Sequence, residues 1–226
     1  MRKLTSATNG ETTVEAYCES IYSGGTPSTK DEDCWNGCHP WLSSGETRSR
    51  FVIDTERTIT EYGVNNSSTK MARKGSVIMA SAGQGLTRGQ TSMLLIDTYV
   101  NQSIIVMEPK DKCGAYLLLA LGDSYDRIRA WSDSTSSRGS MSGKLLKQFS
   151  LPKLSQNSIN ELHFFTKPVF QSIESNLVES RALLSLRDNL LPKLMSGEIN
   201  VSEIDAARPN SHLRIAPLRT ISITHM

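Results

Sequence analysis

The residues best suited to chemistry lie in Gly83-Gln84-Gly85-Leu86-Thr87-Arg88-Gly89-Gln90, which mixes three glycines with amide, hydroxyl and guanidinium groups. Glycines let backbone N–H groups approach an anion. An arginine can pair bidentately with a phosphate or a guanine edge, and a glutamine can pair with adenine. A plain polar β-turn explains the same residues equally well. Ser23-Gly24-Gly25-Thr26-Pro27-Ser28 and Ser43-Ser44-Gly45-Glu46-Thr47-Arg48 share this hydroxyl-rich, glycine-hinged character. They suit phosphate and base contacts, or ordinary surface turns.

Other chemistry is poorly represented. There is no Gly-x-x-x-x-Gly-Lys-[Ser/Thr] phosphate loop, no His-Glu-x-x-His helix and no Gly-x-Ser-x-Gly elbow. The histidines His39, His163, His212 and His225 are scattered, which argues against a triad. Cys34-Trp35-Asn36-Gly37-Cys38-His39 places three zinc-type ligands within six positions. A structural zinc site takes four ligands, and no second Cys/His cluster accompanies this one. Partly buried free thiols are the expectation, with no metal and no cofactor. No leader is legible after Arg2 and Lys3, and no run of about 18 apolar residues could span a bilayer. A cytoplasmic protein with reduced thiols follows as the expectation.

The elements that must position these groups fall into two textures. Residues 1–152 are rich in Gly, Ser and Thr with short apolar runs, the pattern of short strands and turns. Phe51–Ile53, Val77–Ala80, Met93–Ile96 and Ile104–Met107 are the strand candidates. Tyr116–Leu121 followed by Tyr125, Ile128 and Trp131 reads as a helix or helix pair. From 153 to 204 glycine is absent until Gly197 and the pattern turns helical. A short helix is expected over Gln156–Phe165. A second is expected to start at Pro168, with Thr166 as N-cap, and to reach Met195 near the Gly197 stop. Pro192 lies inside that span and should bend or end the helix.

In the second helix, Phe170, Leu177, Leu184 and Leu191 recur every seven residues, and Ile173 widens the stripe. A helix of about 28 residues is roughly 42 Å long, and its apolar seam needs a partner. Packing on its own domain is the alternative. Residues 205–226 lack periodicity and are expected to be largely disordered. The fold class is therefore α+β: a mixed α/β domain of short strands followed by a long C-terminal helix. The net charge of +2 does not by itself mark a nucleic-acid binder, because binding needs a local basic face.

Several words occurring in order resemble the specificity subunit of type I restriction–modification enzymes. They are Ser23–Ser28, Pro40–Thr47, Ile59–Gly63, Asn66–Lys70, Ala82–Gly85 with Thr87–Gln90, Asn101-Gln102, and Leu186–Ile199. The resemblance implies a target-recognition domain that reads half of a split double-stranded DNA site, and a helix that acts as a spacer. It implies methylase and restriction subunits as partners that carry the catalysis. The pattern has two domains and two antiparallel helices, and this chain has one of each. The single copy implies a homodimer, or pairing with another half-specificity chain, through an antiparallel coiled coil.

On this resemblance Arg88, Gln84 and Gln90 are expected to read bases. Ser44, Thr47, Thr87, Arg48 and Lys70 are expected to position phosphates. Three alternatives stand beside it. A DNA-modifying enzyme would need an Asn-Pro-Pro-Tyr-like motif, and no Asn-Pro occurs. A coiled-coil interaction scaffold or an inactive truncated fragment would lack DNA binding.

Overall fold

The computed structural model describes residues 8–82, 87–135 and 140–199. The chain divides into two units, residues 1–178 and 179–226. In chain order the elements are β1 (Thr8–Thr13), β2 (Cys18–Ser23), β3 (Trp35–Leu42), β4 (Phe51–Val52), β5 (Arg57–Ile59), α1 (Glu61–Asn65), β6 (Lys70–Ala72), β7 (Val77–Ala80) and β8 (Thr91–Leu94). There follow β9 (Thr98–Val100), β10 (Ile104–Pro109), α2 (Gly114–Asp123), α3 (Tyr125–Thr135), α4 (Gly143–Lys147), β11 (Ser150–Leu154) and α5 (Gln156–Met195).

Three sheets form. The largest has the order β2-β10-β7-β8-β4, the second β5-β3-β9-β6, and β1 pairs with β11 alone. β4 runs parallel to β8 and β3 parallel to β9, while the other pairs are antiparallel. Val77-Ile78-Met79-Ala80 and Ile104–Met107 were legible as strands because they are apolar at every position, the mark of a strand buried on both faces. Their side chains alternate between two cores. Val77, Met79, Ile105 and Met107 join the cluster built with Leu117, Leu118, Leu121 and Ile128 of the two helices. Ile78, Ile104 and Val106 join Leu42, Ala72 and Val100 of the second sheet. The first sheet is thus covered by helices on one face and by the second sheet on the other.

The glycine word at 24–25 serves this layering. Gly25 N–H donates to the Val100 carbonyl at 3.1 Å, and Trp41 Nε1 donates to the Gly25 carbonyl at 3.3 Å. A Cβ at Gly24 would run into the Val100 carbonyl oxygen, and one at Gly25 into Ser68. Beyond them, Trp35, Trp41, Cys34 and Ile59 form a small third core, with the Arg57 guanidinium 3.5 Å above the Trp35 ring.

The Cys34–His39 segment lies mostly within β3. Cys34 is buried in the third core, and His39 Nε2 lies 2.8 Å from Glu61 Oε2. Among the described residues no three His, Cys, Asp or Glu side chains are grouped to hold a metal ion. All four cysteines are free, and burial, aided by Cys113, pushes the Cys18 thiol up to about 12. Among the described residues no helix is long and apolar enough to cross a membrane.

The C-terminal region departs from the expectation of two helices. α5 is one helix of 40 residues, and both Pro168 and Pro192 lie within it. Thr166 is not an N-cap: its hydroxyl donates to the Leu162 carbonyl at 2.7 Å, as interior helical threonines do. The Pro168 ring supplies no N–H to the Phe164 carbonyl one turn back. Packing on either side of it compensates, because Leu162, Phe170 and Leu177 all rest on the main core. Phe170 meets Phe51 edge to face at 5.2 Å between centroids. Gly197 ends the region as expected, with φ +77°. The tail at 205–226 lies outside the described residues.

Two substitutions test this account. Gly24→Ala should lower stability by about 1–3 kcal/mol in urea unfolding, the usual range for overpacking; an unchanged midpoint would mean that Val100 is not the fixed wall it is taken to be. Pro168→Ala should raise the thermal midpoint, since it restores a helical hydrogen bond worth up to about 3 kcal/mol with the ring's clash removed. A lower midpoint would show that the proline is preferred where it stands.

Candidate nucleic-acid interface

The hydroxyl-rich word at 43–48 is a rigid turn. Ser43 and Glu46 form a reciprocal capping box on a short 3-10 helix, Ser44–Glu46. The second Glu46 oxygen accepts from Glu56 N–H at 2.8 Å. Thr47 is buried, and its hydroxyl donates to the Ser44 carbonyl at 2.9 Å. Ser92, fully buried on β8, donates to the Ser49 carbonyl at 2.6 Å, with the Thr47 carbonyl 3.3 Å away. A side chain from the central sheet therefore clamps the backbone that carries Arg48 and Arg50.

The second polar word forms the connection from β7 to β8. Thr87–Gly89 make a turn in which Gln90 N–H donates to the Thr87 carbonyl at 2.9 Å, and Gly89 N–H donates back to Ala80 at 3.0 Å. Gly89 has φ +82°, which favours glycine at this corner. The Arg88 side chain is buried, and its Nη2 donates to Asp133 Oδ1 of α3 at 2.6 Å. Thr87 is half-buried. Gln84 lies outside the described residues.

The two words meet. Thr47, Arg48, Arg50, Gly89, Gln90, Thr91, Gly122 and Tyr125 line one cleft of about 400 Å³. Among the described residues no aspartate or glutamate lines it, and two arginines do. Of the expected contact residues, the cleft gathers Thr47, Arg48 and Gln90. Ser44 supports the wall through its carbonyl, and Arg88 and Thr87 flank Gln90 in its turn.

Lys70 is not brought to this place. It lies exposed on β6 of the second sheet, with its ammonium 5.7 Å from the Tyr22 ring centre. Burial, together with the Glu108 carboxylate, raises the Tyr22 phenol above its ordinary range, so it stays neutral near pH 7. The Tyr22 hydroxyl donates to the Met71 carbonyl at 2.7 Å.

Sequence reasoning did not assign Arg50, Thr91, Gly122 or Tyr125 to the site. Gly122-Asp123-Ser124 is legible as a break between helices. Nothing in the chain's order places that break beside Arg50, some seventy positions earlier.

On α5 the seven-residue stripe divides. Phe170 and Leu177 pack against the core of the first unit, and Ile173 is half-buried. In the second unit Leu184 and Leu191 are exposed, as are Leu183, Leu186, Leu190 and Leu194.

Comparison with known proteins agrees with this architecture. Residues 17–161 match the family model described as the type I restriction modification DNA specificity domain. The chain is 25% identical over 183 residues to the type I restriction enzyme HindI specificity subunit of Haemophilus influenzae, covering 79% of this chain and 39% of that protein. It is 30% identical over 135 residues to the EcoR124I/EcoR124II specificity subunit of Escherichia coli, covering 58% of this chain and 33% of the other. The chain thus spans well under half the length of these curated relatives.

Among solved structures, the S subunit of a type I restriction–modification system from M. genitalium superposes with a TM-score of 0.60 at 19% identity, over 85% of this chain and 47% of that one. The HsdS subunit from Thermoanaerobacter tengcongensis gives 0.51 at 15% identity, over 84% and 45%. Those two likenesses concern the fold, a mixed α+β domain with a long C-terminal helix. With residues 17–161 matched, more than half of its 226 residues, the chain belongs to the type I restriction modification DNA specificity domain family.

Proposed function

We propose that the chain is a half-length specificity module. Residues 1–152 read one half of a bipartite duplex DNA site, residues 153–204 act as spacer, and catalysis is left to methylase and restriction subunits in the cytoplasm. The observation that carries the reading is the convergence of Thr47, Arg48 and Gln90 from two separate loops on one cleft that two arginines line. Cationic, hydroxyl and amide groups on rigid turns are what phosphate positioning and base-edge readout require.

Arg88 fits a supporting role beside that cleft. Its pairing with Asp133 fixes the turn that presents Gln90. The pairing half of the proposal rests on α5. Leu183, Leu184, Leu190 and Leu191 are exposed on the part of the helix within the second unit. A helical stretch of that length is marginal in water without a packed face. A second copy laid antiparallel would cover it, and two-fold symmetry would then make the DNA site an inverted repeat.

Selection of bound duplexes from a random pool, with and without a methylase partner, tests the reading. The expected outcome is a bipartite motif of fixed gap that outcompetes random duplex by about 10³-fold or more. Binding equal to random duplex would leave only the scaffold or inactive-fragment readings. Light scattering tests the pairing separately. The wild-type chain of 24.9 kDa should run as a dimer, and the double substitution Leu184→Glu with Leu191→Glu as a folded monomer. A wild-type monomer at micromolar concentration would sink the pairing.

A further inference from the structure

Base reading leaves part of the cleft unexplained. Thr91, at the start of β8, is only 5% exposed, and its Oγ1 has no hydrogen-bond partner among the described residues. Gln90 Oε1 is buried and equally unpartnered. Buried polar atoms are nearly always bonded, and an unbonded one beside a cleft calls for an explanation, such as a bound ion.

Arg50 is held as if for such an entrant. Its Nη2 donates to the Leu118 carbonyl in the middle of α2 at 3.1 Å. The guanidinium lies against Gly122, where any Cβ would collide with Nη1, Nη2 and Cζ together. One donor is thus spent on orientation. A guanidinium has five, arranged in a planar fork.

We propose that this cleft seats one backbone phosphate of DNA, bound by the Arg50 fork and the Thr91 hydroxyl, with Arg48 at the rim. Arg50 is placed in advance by the Leu118 carbonyl and the bare face of Gly122. Rotation of the Gln90 amide about its terminal bond presents Nε2 as a further donor. The inference rests on the DNA-reading proposal and assigns this cleft to positioning, so that readout falls to groups beside it. Gly122 is a positioning residue: the three atoms nearest to where its Cβ would stand all belong to Arg50.

The test measures duplex affinity against salt for wild type, Arg50→Gln, Gly122→Ala and Thr91→Val, alongside thermal midpoints with and without inorganic phosphate. Each neutralised phosphate contributes about 0.9 to the slope of log K on log salt. Arg50→Gln should lose about that much slope and about ten- to a hundredfold in low-salt affinity, evenly across DNA sequences. Gly122→Ala should lose slope as well, although it removes no charge. Thr91→Val should weaken DNA binding while leaving the midpoint equal or higher, since it deletes an unbonded buried hydroxyl. A purely structural threonine would move both together.

Unchanged slopes in a protein that binds its duplex would overturn the seat and leave the DNA reading intact. Loss confined to one base pair would also overturn it, by putting a base edge in the cleft. If wild type binds no duplex, inorganic phosphate decides. A midpoint raised in wild type but not in Arg50→Gln keeps the seat and rejects the DNA reading, and no rise rejects both.

Discussion

The polar loops can be held still because β7 and β10 are buried on both faces. Val77 and Met79 point to the helices, and Ile78 points to the second sheet, all without solvent exposure. A strand enclosed in this way cannot shift register by one residue without exchanging its entire apolar set between two filled cores. The turn after β7 and the start of β8 inherit that fixity. So does the backbone at 47–49, because Ser92 reaches it from inside the sheet. Loops that must meet a charged, hydrated ligand need such a mount, since ordering a mobile loop at the moment of binding costs about 1–2 kcal/mol per residue.

The mount was largely legible in the sequence, for a physical reason. Runs such as Val77–Ala80 are apolar at every step, and the Tyr116–Trp131 stripe repeats at helical spacing. Burial imposes both patterns locally. The length of α5 was less legible. Pro168 and Thr166 make a convincing helix start when only neighbours are weighed, yet Leu162, Phe170 and Leu177 pack on one core and carry the helix through. Tertiary packing of about 1.5–3 kcal/mol per large side chain outweighs a single proline's cost of about 3 kcal/mol.

The candidate site divides along the same line. Thr47, Arg48 and Gln90 were identifiable by residue type inside unusual words. Arg50 and Gly122 were not, because their meaning is a contact between a strand lead-in and a helix end far along the chain. β3 shows the opposite error available to pattern reading. Cys34, Cys38 and His39 have ligand-like spacing, but Asn36 takes φ +62° and the register with β5 shifts between Trp35 and His39. The irregular strand packs Cys34 with Trp35 and Trp41 and turns Cys38 to solvent. Ligand-like spacing here belongs to a backbone that builds a hydrophobic corner.

The two portions of α5 place different demands on their surroundings. Up to Leu177 the helix has a domain to rest on, and its half-buried residues need nothing more. Past Val178 the large side chains at 183, 184, 186, 190, 191 and 194 are all exposed. Few contiguous leucines on soluble proteins stay uncovered, because each leaves about 1.5–3 kcal/mol of burial unrealised. A chain carrying two recognition domains would cover such a helix with its own second helix. This chain spans about two-fifths or less of its curated relatives. On the proposed pairing a second helix laid against this stretch would cover it, and the symmetry of that pair, more than any residue in the cleft, would decide whether the two half-sites are alike.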